Sequence, residues 1–116
     1  MASKHAAFAK YVAEDLLAGL GPVKIRSMFG GHGFYFDGSF FALEADGKIF
    51  FKVDASNQKD YEQAGSEPFR YLAKDQKHTT MSYWSVPEEV LEDYDRMVEW
   101  ASKAVRVARA AKAKKK

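Results

Sequence analysis

The chain has 116 residues, 47% hydrophobic and 15% aromatic, with no cysteine. That length is one domain with a real core, and the missing thiols exclude disulfides and thiolate metal sites. The formal charge of +2 joins two unlike parts: residues 103–116 carry seven Lys/Arg and no acid, whereas residues 1–102 carry eleven Lys/Arg against sixteen Asp/Glu, a net −5.

Ser3 is placed to cap a first helix running to about Leu17, with Phe8, Val12 and Leu16 on one apolar stripe and Tyr11 beside them. Gly19 and Gly21-Pro22 stop it. Val23 to Met28 alternates as a strand. Two Asp-Gly pairs, Asp37-Gly38 and Asp46-Gly47, then sit between aromatic-rich runs and predict a meander near 33–36, 40–45 and 48–53. Two-residue loops at both turns would put Phe34, Phe36, Phe41 and Leu43 on one face with Lys48, Phe50 and Lys52. A three-residue second loop, Ala45-Asp46-Gly47, pairs Glu44 with Lys48 instead. It gathers Phe41, Leu43, Ile49, Phe51 and Val53 on the core face and leaves Glu44, Lys48, Phe50 and Lys52 on the other. That register separates polar from apolar better and is the one expected.

Ser56 is placed to cap a short helix over 57–64 that ends at Gly65. Pro68-Phe69-Arg70-Tyr71 reads as irregular, and Thr79 to Tyr83 as another strand. Ser85-x-x-Glu88 fits a capping box with Pro87 in the first turn. The last helix carries the clearest apolar period in the chain, with a break expected near Asp93. The fold class is therefore α+β: an antiparallel meander sheet, an N-terminal helix, a short middle helix and a long C-terminal one. The domain is expected over 1–105, followed by a basic helical or frayed tail over 106–116.

No reactive constellation stands out. Gly30-Gly31-His32-Gly33 fits neither phosphate-loop spacing, and strand residues follow it, so it reads as a sharp turn or bulge needing positive φ. Its alternative reading is a small-ligand or phosphate site. His5, His32 and His78 share no helix-face spacing and read as exposed or singly bonded imidazoles. No serine sits in a nucleophile motif, and Glu88, Glu89, Glu92 and Asp93 suit a helix start better than acid–base work. Arg26 reads as a surface strand arginine, pairing with an acid such as Asp54 or lying on an aromatic ring, or as part of a partner surface. Alternation turns one of Tyr83 and Trp84 inward and the other outward; Trp84 reads as core or as partner surface. Lys103, Arg106, Arg109 and Lys112 recur every three residues and spiral around a helix, which favours diffuse electrostatic attraction to nucleic acid over specific readout.

Several motifs occur together and in order: Arg26-Ser27-Met28-Phe29-Gly30-Gly31-His32-Gly33-Phe34-Tyr35, Phe41-Ala42-Leu43, Lys52-Val53-Asp54 with Asn57, Pro68-Phe69-x-Tyr71, and Met81-Ser82-Tyr83-Trp84-x-Val86-Pro87-Glu88-Glu89. They resemble the N-terminal domain of the TfoX/Sxy family over about residues 5–105. The resemblance implies an antiparallel sheet with flanking helices and a cytoplasmic bacterial regulator. Full-length members are positive regulators of natural competence that act with the cyclic-AMP receptor protein, and they carry a second, helical C-terminal domain. Single-domain relatives are the closer analogy for these 116 residues. The family supplies no catalytic residue.

The expectation is thus a non-enzymatic regulatory module in transcription, without cofactor or metal. It would act through a protein partner, either transcription machinery or a separate protein supplying the second domain, or as a homodimer. Candidate partner-binding residues are Arg26, Met28, Phe29, Gly30, Gly31, Tyr83 and Trp84. The alternative is weak, non-specific nucleic-acid binding through Lys103, Arg106, Arg109 and Lys112. No run approaches the ~20 apolar residues of a membrane span, and no secretory leader is visible.

Overall fold

The alternating strands and two Asp-Gly turns build one antiparallel sheet, and the helices lie against one of its faces. The structure, a computed structural model, describes residues 4–28, 31–72 and 78–114. Within them the order is α1 (Lys4–Tyr11, continued by a π turn over Val12–Leu16), β1 (Val23–Met28), β2 (Gly31–Phe36), β3 (Ser39–Ala45), β4 (Lys48–Lys52), α2 (Gln58–Gln63), β5 (Pro68–Leu72), β6 (His78–Ser85), α3 (Glu88–Leu91) and α4 (Tyr94–Lys114). The strands lie in the order β1-β2-β3-β4-β6-β5. The α+β class expected from the sequence is what forms.

Both hairpins turn at Asp-Gly with positive φ at each residue: Asp37 at 52° and Gly38 at 81°, Asp46 at 55° and Gly47 at 79°. These two-residue turns match the twist of the flanking strands. The second hairpin pairs Ala45 with Lys48 and Glu44 with Ile49, so the expected three-residue loop and its Glu44–Lys48 pair do not form. The parity change assigned to that loop arises earlier instead. Phe34 faces Ala42 and Tyr35 faces Phe40, which leaves Phe41 as an inserted residue in β3. The bulge lets Phe41 and Ala42 both enter the helix-covered core. Ile49, Phe51 and Val53 join them there as expected, but Leu43 moves to the opposite face and Glu44 to the covered one.

A buried carboxylate is costly unless it is bonded, and this one is. Glu44 Oε1 accepts from His32 Nδ1 at 2.6 Å, and Oε2 accepts from the Gly47 backbone N–H at 2.7 Å. Its side chain is fully buried. The pair ties β2, β3 and the second turn together.

The first helix buries Ala9, Val12, Ala13 and Leu17, and Phe8 and Leu16 of the expected stripe pack, partly buried, against the same core. In the π turn the Leu17 N–H bonds Val12 O at 2.9 Å, which widens the helix and adds Leu17 to the core beside Leu16, while Tyr11 stays 49% exposed. Helix α2 starts one residue later than expected. Ser56 Oγ donates to Asp54 Oδ1 at 2.5 Å, and Asn57 occupies the cap position. Asn57 is buried there, accepting from the Asp54 N–H at 2.9 Å and donating to Lys52 O at 3.2 Å. Gly65 ends the helix as expected, at φ 78°, with the Ser66 N–H returning to Tyr61 O at 2.9 Å.

Pro68 to Leu72 is a strand, not an irregular segment. Proline as first residue of an edge strand removes no needed ladder bond. The capping box at Ser85 is also absent. Ser85 belongs to β6, its Oγ accepts from the Glu67 N–H at 3.1 Å, and Pro87 takes the cap position of α3. The break near Asp93 is present, and Asp93 Oδ1 caps α4 through the Arg96 N–H at 3.2 Å. Helix α4 then runs unbroken to Lys114 and buries Met97, Trp100, Ala101, Ala104, Val105, Val107 and Ala108. It crosses the expected domain edge at 105/106 while still packed on the core.

Candidate functional site

The sheet's second face carries its own small cluster of Leu43, Phe50 and Tyr83, with Phe40, Ala45 and Phe69 packed against it; all come from strands. Register decides who stands there. Lys24 and Arg26 lie opposite Tyr35 and Gly33, Lys48 opposite Ala45, and Lys52 opposite Tyr83. No described helix contributes a residue to this cluster, so among the described residues the face is open.

Aromatic rings cover it in a row. Tyr35 stacks on Phe40 with centroids 5.1 Å apart and planes 22° apart, and Phe40 meets Tyr83 at 5.3 Å. Phe50 and Phe69 contact edge to face at 5.0 Å. Cations close both ends of the row: Arg26 Cζ lies 5.8 Å from the Tyr35 centroid, and Lys52 Nζ 4.8 Å from that of Tyr83. Tyr83 is only 3% exposed with no described helix above it, and Phe40 and Lys52 lie against its ring. That burial, and secondarily the neighbouring Tyr35, pushes the Tyr83 hydroxyl well above the ordinary phenol range. Its hydroxyl makes one long contact to Phe40 O, at 3.4 Å.

Charge on the strands is one-sided. Glu44 is the sole acidic residue in the six described strands, and it is buried on the covered face; the same strands hold Lys24, Arg26, Lys48, Lys52 and Arg70. The other acids among the described residues sit in helices, turns and loops.

The sequence candidates separate. Arg26 and Tyr83 meet on the open face. Arg26 lies on an aromatic ring, the second of its two expected partners. Trp84 pairs with Phe51 and packs, half-buried, on the helix-covered core. Gly31 has no room for a side chain, since a Cβ there would sit 2.0 Å from the Glu44 carbonyl oxygen. Gly31 and Gly33 are strand residues and not the expected positive-φ turn, and no helix follows them. Met28 sits opposite Gly31; Phe29 and Gly30 lie outside the described residues. Of the tail candidates, Lys103 pairs with Asp60 at 3.5 Å and Arg109 with Asp37 at 3.2 Å, while Arg106 is exposed and Lys112 falls near the end of α4. Tyr35, Phe40, Phe50, Phe69, Lys24, Lys48 and Lys52 were not singled out from sequence as site residues. Lys48, Phe50 and Lys52 were already grouped on the non-core face by alternation; Tyr35 and Lys24 needed the β1–β2 register, Phe40 the bulge at Phe41, and Phe69 the strand β5.

His32 is singly bonded, as expected. Among the described residues no three His, Asp or Glu side chains are grouped to hold a metal ion, and no helix is long and apolar enough to cross a membrane.

The profile of the TfoX N-terminal domain family matches residues 15–108, most of the chain. The chain belongs to that family. No curated protein matches it. The match makes this a competence-regulator-like domain. It spans both hairpins and most of α4, so every described residue of the open face lies inside the TfoX N-terminal domain.

Proposed function

We propose that this TfoX N-terminal domain is a non-enzymatic regulatory module acting in transcriptional regulation, and that it engages its partner through the open sheet face. The observation that carries this reading is the row of Tyr35, Phe40 and Tyr83 between Arg26 and Lys52. Aromatic residues and arginine are the types that dominate binding energy at macromolecular contacts. A helix-free sheet face holding them costs stability that a partner would return. The other constellation, His32 with Glu44, supports a structural role, because both carboxylate oxygens are engaged inside the protein.

The test is transcript profiling of host cells expressing the wild-type domain or Arg26→Glu/Tyr35→Ala, with the purified variant checked for native circular dichroism. The expected result is that the folded variant loses the transcript changes the wild type produces. Identical transcript profiles would remove the basis of the reading.

A further inference from the structure

We infer that the open sheet face binds single-stranded nucleic acid, without distinguishing ribose from deoxyribose; this rests on reading that face as the contact surface and names its partner. Three observations converge. The first is charge. Residues 1–102 are net acidic, yet the strands present Lys24, Arg26, Lys48 and Lys52 on this face and no Asp or Glu. Lys24, Arg26 and Lys48 are exposed, and none of the three forms an ion pair among the described residues. The second is the rings. Tyr35, Phe40 and Phe69 are half-buried, so part of each ring faces outward, while Phe50 and Tyr83 form the floor beneath them. A polymer that repeats one negative charge and one flat π-face per unit matches alternating cations and rings. An acidic peptide would satisfy the cations but offers no repeating planar group.

The third is shape. Six strands at about 4.8 Å spacing make a surface about 24 Å across. That is too broad to enter a duplex major groove of about 12 Å, and paired bases would keep their faces hidden. A single strand lays its bases flat on such a sheet. Indifference to the sugar follows from the side chains. Among the described strand residues this face carries no amide or carboxylate to read a 2′-hydroxyl; the hydroxyls of Ser85 and Tyr83 already contact the Glu67 N–H and Phe40 O, and that of Tyr35 can serve a phosphate oxygen next to either sugar. The basic residues of α4 are a different surface, with Lys103 and Arg109 already paired to acids.

The experiment is fluorescence anisotropy of the full chain with labelled oligo-dT and oligo-U of about 12 nucleotides. Both are expected to bind with similar affinity. With three exposed cations, log K should fall against log salt with a slope of about −2. The double substitution Lys24→Gln/Arg26→Gln, at exposed positions, should flatten that slope by about 1.4. Phe40→Leu keeps apolar bulk against Tyr83 but loses the stacking face, and should weaken binding roughly ten- to a hundredfold. No binding of either oligomer at low salt overturns the inference. So does binding that survives these substitutions and is lost with Arg106→Gln/Arg109→Gln, or equal competition by polyglutamate. If the wild-type domain ignores both oligomers while Arg26→Glu/Tyr35→Ala still abolishes the transcript response, the regulatory reading stands and the partner is a protein.

Discussion

The two faces of this sheet are built from similar residues and solve opposite problems. On the covered face Phe34, Phe41, Phe51, Ile49 and Val53 meet helices and are shut off from water. The one acid placed there, Glu44, survives by giving both oxygens to hydrogen bonds. On the open face, Phe40, Phe50 and Tyr83 must shield each other, and cations lie over the end rings. The lesson is that burial alone does not mark a core. Tyr83 and Phe51 are both buried, but only Phe51 is buried by a second layer. A face that dries itself with rings and lysine stems remains available to another molecule.

The largest expected effect tests that asymmetry directly. Phe51→Ala should cost about 3–5 kcal/mol, because a fully enclosed phenylalanine leaves a cavity when removed. Phe40→Ala, half-buried on the open face, should cost about 1–1.5 kcal/mol. Urea denaturation at neutral pH measures both. Equal costs would mean that the open face is a second core, and the contrast between the faces would fail.

A smaller effect comes from Gly31, on the strand that joins the two faces. Its missing Cβ would lie 2.0 Å from the Glu44 carbonyl oxygen. That neighbour is backbone and cannot swing aside, so Gly31→Ala must part β2 from β3 and loosen the His32–Glu44 pair with them. We expect about 2–3 kcal/mol. Gly38→Ala makes the control. It has φ 81° and nothing within 4 Å of a new Cβ, so only the left-handed backbone is penalised, at about 1 kcal/mol. If the two substitutions cost the same in thermal unfolding, close strand approach is not what Gly31 provides.

The hairpins were legible because Asp-Gly forces positive φ at both turn residues, and α4 because its apolar period is long. The bulge at Phe41 was not. Nothing local in Ser39-Phe40-Phe41-Ala42 names the inserted residue, and the gain from placing Phe41 and Ala42 together in the core is tertiary. That one residue decided the faces of Leu43 and Glu44. Ser56 and Ser85 carried cap spacing, but Asp54 and Glu67 took their hydrogen bonds. Pro68 hid β5 because proline argues against a central strand and says little about an edge. Of the candidate site, Arg26 and Tyr83 were named from residue type and alternation. Tyr35, Phe40 and Lys24 needed the register.

The smallest expected effect is the sharpest probe of how dry the open face is. Among the described side chains two tyrosines are buried, Tyr61 under α4 against Trp100 at 4.8 Å and Tyr83 among the rings of the open face. Burial raises both hydroxyls above the ordinary value of 10. In the unfolded chain a tyrosine releases its proton near pH 10, whereas these two hold theirs higher. Above pH 10 the unfolded state therefore binds fewer protons, and stability falls as pH rises, by up to about 1.4 kcal/mol per pH unit for each residue. The slope is about half-developed at pH 10 and fades below about pH 9. At neutral pH Tyr61→Phe should raise stability by about 1 kcal/mol, since the Tyr61 hydroxyl is buried with no partner among the described residues. Tyr83→Phe should cost less than about 1 kcal/mol, because it gives up one long contact. Each substitution should remove its own share of the alkaline slope, read from urea midpoints at pH 9 to 11. If Tyr83→Phe leaves the slope unchanged, that hydroxyl is wet, and the rings of the open face do not exclude water from the sheet beneath them.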